Sequence, residues 1–365
     1  MAMNLITIVG ARPQFVKAAP VSAALAATGA IRERLLHTGQ HFDDDMSAVF
    51  FRELGIAPPA WNLGIGGGAH GAMTGAQLAA IERVLVAEKP DAVLLYGDTN
   101  STLSGALAAA KLNIPVAHVE AGLRSFNRRM PEEVNRVLTD HVSRWLFAPT
   151  ALAVANLARE GIAGAGVQQV GDVMYDAALR FARVAAARPA RPAVTAAIGG
   201  RAFALATVHR AENTDDAARL QAIVGALRAL AREIDVVWPL HPRTRKVLAA
   251  LGVELDGVPS LHVTGPLGYL DMIELQAAAA LVVTDSGGVQ KEAFFFGRPC
   301  VTLRDETEWI ELVDAGWNRL APPTSADALT AAMRAALGSR GAPVRPYGDG
   351  DAAQRIAAIL EGGAA

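Results

Sequence analysis

The sequence predicts an α/β protein of two doubly wound domains, in which parallel sheets are flanked by helices. The chain has 365 residues, which is too many for one ordinary core and suits two domains of roughly 150–200 residues each. Hydrophobic residues make up 52% of it and aromatic residues only 5%, so helices are expected to pack on strands through small side chains. Short apolar runs alternate with helix-length segments, a pattern typical of strands buried on both faces of a parallel sheet.

The first half of the chain contains short apolar runs that are followed by segments long enough for a helix. The predicted strands are Leu5–Val9, Ala92–Tyr96, Val116–Val119 and Trp145–Ala148, and the predicted helices include Thr102–Lys111, Glu132–His141 and Tyr175–Ala187. The stretch Arg188–Gly200 contains two prolines and a pair of glycines, which predict a linker or an exposed loop.

The alternation restarts after this stretch and continues to the end of the chain. The predicted strands are Phe203–Thr207, Asp235–Trp238, Leu261–Val263, Leu281–Thr284 and Cys300–Leu303, and the predicted helices include Asp216–Arg232, Tyr269–Ala279, Val289–Phe296 and Ala352–Leu360. Repeated strand–helix units of this kind form Rossmann-like sheets. We therefore expect one Rossmann-like domain at residues 1–172 and a second at 173–350. A final helix at 351–363 is expected to pack back on the first domain.

Charge and cysteine content exclude several classes of protein. With 34 Lys and Arg against 36 Asp and Glu, the formal charge is −2, which argues against a nucleic-acid-binding protein. The single cysteine, Cys300, excludes an internal disulfide and is expected to pack in a buried strand. A membrane span and a signal peptide are not expected, and the composition fits a cytoplasmic protein.

Polar side chains recur where predicted strands end. In parallel sheets, ligands bind outside the carboxyl ends of the strands, so two such domains facing each other would bring these groups to one cleft. The clusters are Gly10-Ala11-Arg12, Gly97-Asp98-Thr99, His118-Val119-Glu120, His209-Arg210, His241-Pro242-Arg243 and Thr284 to Gly288.

The segment Asp285-Ser286-Gly287-Gly288 ends a strand and opens a helix. Glycines allow a ligand to approach the backbone, and free N–H groups at a helix N-terminus attract anions. A diphosphate at Ser286–Gly288, with Glu292 accepting hydrogen bonds from a ribose, is chemically sensible. The structural alternative is a tight turn in which Ser286 caps the helix.

Two other kinds of site are weakly supported. Gly66, Gly68 and Gly71 match a dinucleotide-binding spacing, but no buried strand precedes them; Gly64–Gly75 instead predicts a mobile loop before a helix at Gln77–Glu88. The histidines form no metal-ligand cluster, and Asp43-Asp44-Asp45 is better explained as a helix start than as a cation site. No cofactor and no metal are expected.

Three carboxylates are candidates for acid–base chemistry. Asp98 and Glu120 end consecutive strands, so a parallel sheet would place them side by side, and Glu132 follows Pro131 at a helix start. Clustered carboxylates divide into acid and base roles because burial and like charge separate their pKa values. Glu133 is better explained as a helix charge that pairs with Arg136.

These residues lie in motifs that resemble the non-hydrolysing UDP-N-acetylglucosamine 2-epimerases over nearly the whole chain. The family has two Rossmann-like domains facing across a cleft, the fold of the GT-B glycosyltransferases. The matching motifs are Gly10-Ala11-Arg12-Pro13-Gln14, Gly97-Asp98-Thr99, His118 to Arg124, Pro131-Glu132-Glu133, His209-Arg210 and Asp285 to Gln290.

The resemblance implies an isomerase that interconverts UDP-GlcNAc and UDP-ManNAc for surface polysaccharide synthesis. UDP is eliminated to give 2-acetamidoglucal and is then added back. A homodimer is implied, and some bacterial members bind a second UDP-sugar as an activator. The implied catalytic residues are Asp98, Glu120, Glu132 and His209; the implied substrate and UDP contacts are Arg12, Lys17, His241, Met272, Ser286, Gly287, Gly288, Glu292 and Arg304; and the candidate activator site contains Gln40, His41 and His70.

The sequence departs from the UDP-N-acetylglucosamine enzymes at two positions. Trp309 stands where they commonly have Arg, and Met272 stands where they have Phe near the uracil. Several loops look closer to the branch that epimerises UDP-2,3-diacetamido-2,3-dideoxy-glucuronic acid, which is the alternative substrate. A glycosyltransferase of the same fold and a non-catalytic UDP-sugar sensor are the competing functions.

Overall fold

The computed structural model describes residues 2–40, 54–189 and 191–363, and the chain divides into two compact units. The N-terminal unit comprises Met1–Ala177 with Arg345–Ala365, and the C-terminal unit comprises Ala178–Val344. Each unit has its own parallel sheet with helices in the connections. The predicted α/β fold class is therefore confirmed.

The N-terminal unit is built on a seven-stranded sheet with the order β3-β2-β1-β4-β5-β6-β7, in which every pairing is parallel. The chain builds outward from β1 to β3, then crosses back to place β4 on the other side of β1. Ligands of doubly wound sheets bind beside such a reversal. The strands are β1 (Met3–Val9), β2 (Ile31–His37), β3 (Trp61–Asn62), β4 (Ala92–Tyr96), β5 (Val116–Val119), β6 (Trp145–Ala148) and β7 (Val167–Gln169). The helices are α1 (Arg12–Thr28), α2 (His70–Glu88), α3 (Asn100–Lys111), α4 (Pro131–Val142), α5 (Ala151–Arg159) and α6 (Val173–Ala187), which runs into the C-terminal unit.

Small side chains allow α3 to lie close to the sheet. All five residues of β4 are buried, and α3 packs three alanines into the same core cluster. A Cβ at Gly105 of α3 would lie 2.8 Å from Leu95 Cδ2 and 2.9 Å from Ile8 Cδ1. Close-packed cores do not tolerate such overlap, so this helix–sheet distance requires glycine.

The C-terminal unit has a six-stranded sheet with the order β10-β9-β8-β11-β12-β13, again entirely parallel. Cys300 lies buried in this sheet, and burial raises the pKa of its thiol to about 12. The expectation that Cys300 packs in a buried strand is therefore confirmed. The strands are β8 (Phe203–Thr207), β9 (Asp235–Pro239), β10 (Leu261–Thr264), β11 (Leu281–Thr284), β12 (Cys300–Thr302) and β13 (Asn318–Leu320). The helices are α7 (Ala193–Ile198), α8 (Ala211–Thr214), α9 (Ala217–Leu230), α10 (Pro242–Ala250), α11 (Tyr269–Ala278), α12 (Gly287–Phe295), α13 (Ile310–Asp314) and α14 (Ala326–Ala336).

The prediction of a linker or exposed loop at Arg188–Gly200 was wrong, because this stretch contains α7. Pro192 occupies the N-cap of α7, and Gly199 ends it in a left-handed conformation with φ 61°. Proline before a helix and glycine after it are compatible with helical backbone. Val194 and Ile198 are buried in a core cluster with Phe203 of β8.

Two other features differ from the prediction. The apolar runs did not reveal β2, β3, β7 or β13; β2 has Arg32, Glu33 and Arg34 in its first half and only then turns apolar. Helix α2 begins at His70, inside the stretch predicted as a mobile loop. Asp43, Asp44 and Asp45 lie outside the described residues.

The last helix, α15 (Ala352–Gly362), packs against α1 in the N-terminal unit. Its start is held by Asp176 of α6, which accepts hydrogen bonds from the backbone N–H groups of Ala352 at 3.2 Å and Ala353 at 2.9 Å. Asp172 also holds this segment, because its backbone N–H donates to the carbonyl of Tyr347 at 3.0 Å. The two contacts of Asp176 occupy N–H groups at the start of a helix that lack intrahelical partners.

The described residues contain neither a membrane-spanning helix nor a metal-ligand cluster. None of the described helices is both long enough and apolar enough to cross a bilayer. Across residues 2–40, 54–189 and 191–363, no group of three or more His, Cys, Asp and Glu side chains is arranged to hold a metal ion.

Asp176 predicts a pH dependence of stability. Burial raises its pKa to about 6 from 3.8, although backbone hydrogen bonds from Ala353 and Ala352 act in the opposite direction. Because the pKa is higher in the folded state, the stabilising contribution is complete below the unfolded pKa and is lost as pH rises through the folded pKa. The unfolding free energy of the wild type, relative to Asp176→Asn, should fall by on the order of 2 kcal/mol between about pH 4 and pH 7.

Urea unfolding at a series of pH values measures this difference. Asp349→Asn is the matched control, because Asp349 is 57% exposed and pairs with Arg345 on the same returning segment. Its difference from wild type should hardly change with pH. A flat profile for Asp176→Asn would contradict the assignment.

Candidate active site

The polar clusters of both units lie at the carboxyl ends of parallel strands, as predicted. In the N-terminal unit, Gly10, Gly97 and Glu120 immediately follow β1, β4 and β5, which are neighbours in the sheet. In the C-terminal unit, the corresponding positions follow β8, β9 and β11. Each sheet therefore gathers its candidate residues on one edge.

Asp98 and Glu120 form two ion pairs at this edge of the N-terminal sheet. Glu120 pairs with Lys17 of α1, and Asp98 pairs with Arg136 of α4. Burial lowers the pKa of Lys17, but attraction to Glu120 and to Asp98 outweighs it, so the pKa is raised. Both carboxylates thus act on one ammonium group, in agreement with the prediction that they lie side by side.

Glu120 adopts an unusual backbone conformation. Its φ is 71°, in the left-handed region that non-glycine residues rarely enter, and its side chain is buried. The carbonyl of Phe147 in β6 accepts hydrogen bonds from the N–H groups of Glu120 at 3.1 Å and Ala121 at 3.2 Å. Strained residues of this kind cluster at functional sites and persist only where the surroundings fix them.

Glu132 and Glu133, adjacent on the first turn of α4, have different surroundings. Glu132 is exposed, whereas Glu133 is buried. Glu133 accepts hydrogen bonds from the N–H groups of Ser125 and Phe126, both at 2.9 Å, and lies 3.1 Å from Arg136 Nη1. The interpretation of Glu133 as a structural charge is confirmed, with the addition that it holds the loop before α4.

Sequence reasoning missed two side chains that organise this edge. Arg136 joins Glu133 to Asp98, although the sequence indicated only its pairing with Glu133. Gln14 accepts hydrogen bonds from the backbone of Gly10 at 2.7 Å and donates to the carbonyl of Tyr96 at 2.8 Å, which connects the ends of β1 and β4. The position of Gln14 in a motif at a strand end was the available indication.

Two of the three candidate activator residues lie within the described chain. Gln40 Oε1 accepts hydrogen bonds from Ser101 N at 3.1 Å and Ser101 Oγ at 2.7 Å. His70 Nδ1 lies 3.0 Å from Asn100 Nδ2, so Gln40 and His70 bind consecutive residues at the start of α3. His41 lies outside the described residues.

Arg12, an implied substrate contact, is exposed as the first residue of α1.

In the C-terminal unit, the N-terminus of α12 has the features of an anion site. Ser286 is its N-cap without a side-chain cap hydrogen bond, and Gly287 and Gly288 are its first residues. No atom lies within 4 Å of a Cβ built on Gly288. Since the first N–H groups of a helix point outward and carry partial positive charge, an anion could approach this backbone closely. The alternative, a cap by the Ser286 side chain, is contradicted.

Glu292 lies in the next turn of α12 and is buried. It accepts hydrogen bonds from Gln276 Nε2 at 2.9 Å and from the Tyr269 hydroxyl at 3.3 Å. Burial raises its pKa, against the effect of these two hydrogen bonds. Met272, on the same helix as its two partners, is half-buried against the core cluster of this sheet.

The buried carboxylate of Asp285 fixes the His209 backbone. It accepts hydrogen bonds from the N–H groups of His209 and Arg210 at 3.0 Å, and from Asn213 Nδ2 at 3.1 Å. His209 Nδ1 lies 3.3 Å from the same carboxylate, and the ring is 41% exposed. The ring of His241 is 5.5 Å away, and burial, followed by repulsion from His209, lowers the pKa of His241.

Arg304 is buried and has acidic partners. Its guanidinium donates to Glu308 at 2.9 and 3.2 Å, and its Nε lies 3.7 Å from Glu212. Beside it, Trp309 donates to the carbonyl of Gly287 at 3.0 Å, and Lys291 Nζ lies 4.3 Å from the centre of the Trp309 ring. Trp309 is thus directly bound to the start of α12.

Comparisons with known proteins identify the family and the fold of the chain. The family model described as UDP-N-acetylglucosamine 2-epimerase matches residues 23–361. UDP-2,3-diacetamido-2,3-dideoxy-D-glucuronate 2-epimerase of Pseudomonas aeruginosa is 53% identical over 98% of this chain and 99% of its own length. UDP-N-acetylglucosamine 2-epimerase of Methanocaldococcus jannaschii is 43% identical over 98% and 99%. A crystal structure of the M. jannaschii enzyme with UDP-GlcNAc and UDP has a TM-score of 0.85 at 42% identity, covering 98% of this chain and 99% of that one.

Gly97→Ala tests how closely the ion pair packs on the turn after β4. A Cβ at Gly97 would lie 3.3 Å from Glu120 Oε2 and 3.4 Å from Lys17 Nζ, and φ is 63°. The left-handed backbone alone costs roughly 1–2 kcal/mol for a residue with a Cβ. We expect a larger loss of unfolding free energy, because the ion pair must also shift.

Gly29→Ala provides the matched control for this substitution. Gly29 has φ 69°, and no atom lies within 4 Å of a Cβ built on it, so only the backbone cost applies. Chemical denaturation of both variants measures the difference. Equal losses in the two would show that the Lys17–Glu120 pair does not constrain Gly97.

Proposed function

Since the chain belongs to the UDP-N-acetylglucosamine 2-epimerase family, an isomerase family, we propose that it inverts C2 of a UDP-linked 2-acetamido sugar. The observation that carries this proposal is the arrangement of Asp98 and Glu120 around Lys17 on one sheet edge. Such a site supplies two carboxylates and a cation on one sheet edge. A general acid or base contributes about 10²–10⁴-fold to a rate.

In the proposed reaction, one carboxylate removes the C2 proton while the bond between C1 and the diphosphate oxygen breaks. The electrons of the C2–H bond form the C1–C2 double bond, and the electrons of the C1–O bond leave with UDP. A 2-acetamidoglycal remains. UDP adds back at C1 as C2 receives a proton on the opposite face. Atoms and charges balance without an oxidant, a reductant or an external acceptor.

The candidate residues divide between two tasks in this proposal. Because the C2 proton is barely acidic, it can leave only as negative charge develops on the diphosphate, which must be stabilised strongly. We assign UDP binding to the start of α12 at Ser286–Gly288, assisted by His209, His241, Met272, Glu292 and Arg304. We assign the chemistry at C2 to Asp98, Glu120 and Glu132, with Arg12 and Lys17 as substrate contacts.

The sugar that we propose is the 2,3-diacetamido-2,3-dideoxy-glucuronic acid of UDP, with N-acetylglucosamine as the second candidate. Support comes from the identity of 53% to the P. aeruginosa enzyme named for the uronic acid, against 43% to the M. jannaschii enzyme named for N-acetylglucosamine. Trp309 provides further support, because the resemblance implies an Arg at this position in the UDP-N-acetylglucosamine enzymes, and the Trp309 ring donates to the carbonyl of Gly287 at the start of α12.

Incubating the protein separately with each UDP-sugar in deuterated water tests the reaction. We expect deuterium at C2 and a new epimer from the uronic acid substrate, with slower exchange or none from UDP-N-acetylglucosamine. Binding of both sugars without exchange of either would favour a sensor. Transfer of sugar to an added acceptor without C2 exchange would favour a glycosyltransferase.

Asp98→Asn should abolish nearly all of this exchange while UDP still binds, because it removes a proton acceptor and leaves the C-terminal unit unchanged. Asp91→Asn is the control: Asp91 lies at the opposite end of β4 and accepts a hydrogen bond from Asn4 N at 2.7 Å. Exchange at the wild-type rate in Asp98→Asn would contradict the assignment of Asp98.

Gly288→Ala tests the diphosphate site directly. A Cβ at Gly288 meets no protein atom within 4 Å, so the thermal midpoint should stay the same or rise. The methyl group would occupy space proposed for the diphosphate, so the dissociation constant for UDP should rise by at least about tenfold, or 1.4 kcal/mol. Calorimetric titration measures it, with the helical glycine variant Gly362→Ala as control. Unchanged UDP affinity in Gly288→Ala would place the diphosphate elsewhere.

We also propose that a second UDP-sugar binds as an activator near Gln40 and His70. Support comes from their contacts with Ser101 and Asn100, because Asn100 Oδ1 accepts from Asn135 Nδ2 at 3.2 Å and Asn135 donates to the Asp98 carbonyl at 2.9 Å. These hydrogen bonds connect His70 to the Asp98 turn. The rate of C2 exchange should rise sigmoidally with UDP-sugar concentration; a hyperbolic curve would count against an activator.

A further inference from the structure

The ring of His118 is buried between two hydrogen-bond acceptors. Nδ1 lies 2.7 Å from Asp140 Oδ1, and Nε2 lies 2.8 Å from the backbone carbonyl oxygen of Gly97. The side chains of His118 and Asp140 are fully inaccessible to solvent. Both ring nitrogens therefore have their hydrogen-bonding positions filled by protein atoms.

Neither acceptor can supply the proton of these hydrogen bonds. A backbone carbonyl accepts only, and an ionised carboxylate accepts only. Asp140 Oδ2 lies 2.7 Å from Arg124 Nη1 and accepts a hydrogen bond from Gly122 N at 3.0 Å, and both contacts favour the ionised carboxylate. A neutral imidazole carries one N–H, so it would leave one of these close contacts between two acceptors.

We infer that His118 is a buried imidazolium that donates to Asp140 and Gly97 at once, and that it positions the two turns carrying Asp98 and Glu120. The protonation state rests on the hydrogen-bond geometry and the neighbouring charges, and it does not depend on the proposed function. The positioning role rests on the proposed function.

The surrounding charges support an imidazolium. Arg124 Nη1 lies 2.7 Å from Asp140 Oδ2, and the same guanidinium binds Glu160 through two contacts of 2.7 Å. With His118 protonated, this group has two cations and two anions. With a neutral ring, the fully buried Asp140 carboxylate would lose one of its two cationic partners, and it would share the other, Arg124, with Glu160. His141, which is 46% exposed, lies 3.6 Å from Glu160 at the outer end of the group.

The His118–Asp140 pair contacts both turns. On one side, His118 Nε2 contacts the carbonyl of Gly97, and the N–H of Gly97 donates to the carbonyl of Val119 at 3.0 Å. The peptide groups before Asp98 are therefore fixed by residues of β5. On the other side, Asp140 Oδ2 accepts from Gly122 N at 3.0 Å, two residues after Glu120. One buried ion pair thus fixes the turn after β4 relative to the turn after β5.

This geometry predicts a specific kinetic effect. Misplacement of reacting groups by about 1 Å can cost about 10²-fold in rate. His118→Gln can still donate one hydrogen bond but has neither the positive charge nor two opposed donors. We expect kcat for C2 exchange to fall by at least about tenfold, while KM and the UDP dissociation constant change less than about twofold.

His262→Gln is the matched control. His262 Nε2 lies 2.6 Å from Asp235 Oδ1, so it forms a second His–Asp pair, in the C-terminal unit and away from the proposed machinery. Its kcat should remain within about twofold of the wild type. A wild-type kcat in His118→Gln, or an equal loss in both variants, would overturn the positioning role.

Neutron diffraction from crystals of the perdeuterated wild-type protein tests the protonation state without any variant. We expect deuterons on both ring nitrogens of His118, and a single deuteron would overturn the inference. This result stands even if His118→Gln fails to fold or neither UDP-sugar is exchanged. If His118→Gln fails to fold, Asp140→Asn supplies the kinetic test. We expect kcat to fall while KM changes little, and a wild-type kcat would contradict the positioning role.

Discussion

The N-terminal site depends on the cost of burying charge. An isolated carboxylate is expensive to remove from water, so a buried one needs a cation or several hydrogen-bond donors. Glu120 has Lys17, Glu133 has Arg136 with two backbone N–H groups, and Asp140 has the cations around it. The Lys17–Glu120 pair joins helix α1 to the end of β5, and the hydrogen bonds of Glu133 join helix α4 to the loop before it. The pairing that satisfies the charges therefore also fixes the geometry of the edge.

Sheet topology determines which helices can supply those partners. Because β4 and β5 follow β1 in the sheet, their ends lie beside the start of α1, which carries Gln14 and Lys17. Helix α4 follows β5 in the chain and brings Arg136 to the turn after β4. Helices α1 and α4 thus supply the partners of the polar side chains at the carboxyl ends of these parallel strands.

The sequence revealed strands that are mostly apolar and missed β2, whose first half is charged. All residues of β4 are buried and apolar, whereas β2 pairs with β1 along seven residues despite three consecutive charges. Helix α7 was missed because its proline and glycine, read as signs of a loop, instead mark its two ends. Local patterns cannot show that a charged segment forms a strand by pairing with a buried neighbour. They also cannot show that a proline and a glycine stand at the two ends of one short buried helix.

The sequence predicted which residues lie at the candidate site, but it did not predict which side chains they pair with. Strand-end placement identified Asp98, Glu120 and His209, because that depends on local sequence and a general rule of parallel sheets. The partners of Asp98 and Glu120 are 38 and 103 residues away along the chain, at Arg136 and Lys17, and no local pattern encodes those separations. The left-handed φ of Glu120 was equally hidden, since nothing in its residue type favours it.

The shared position of Lys17 suits the proposed reaction for an electrostatic reason. A carboxylate must be ionised before it can accept a proton, and a nearby cation keeps it ionised at the expense of its basicity. When one carboxylate takes the C2 proton, its charge disappears and its hold on the ammonium weakens. The ammonium then remains to stabilise the other carboxylate as it exchanges its own proton. Because Lys17 pairs with Glu120 and is also attracted to Asp98, it can compensate whichever of them is charged, as a reversible epimerisation requires.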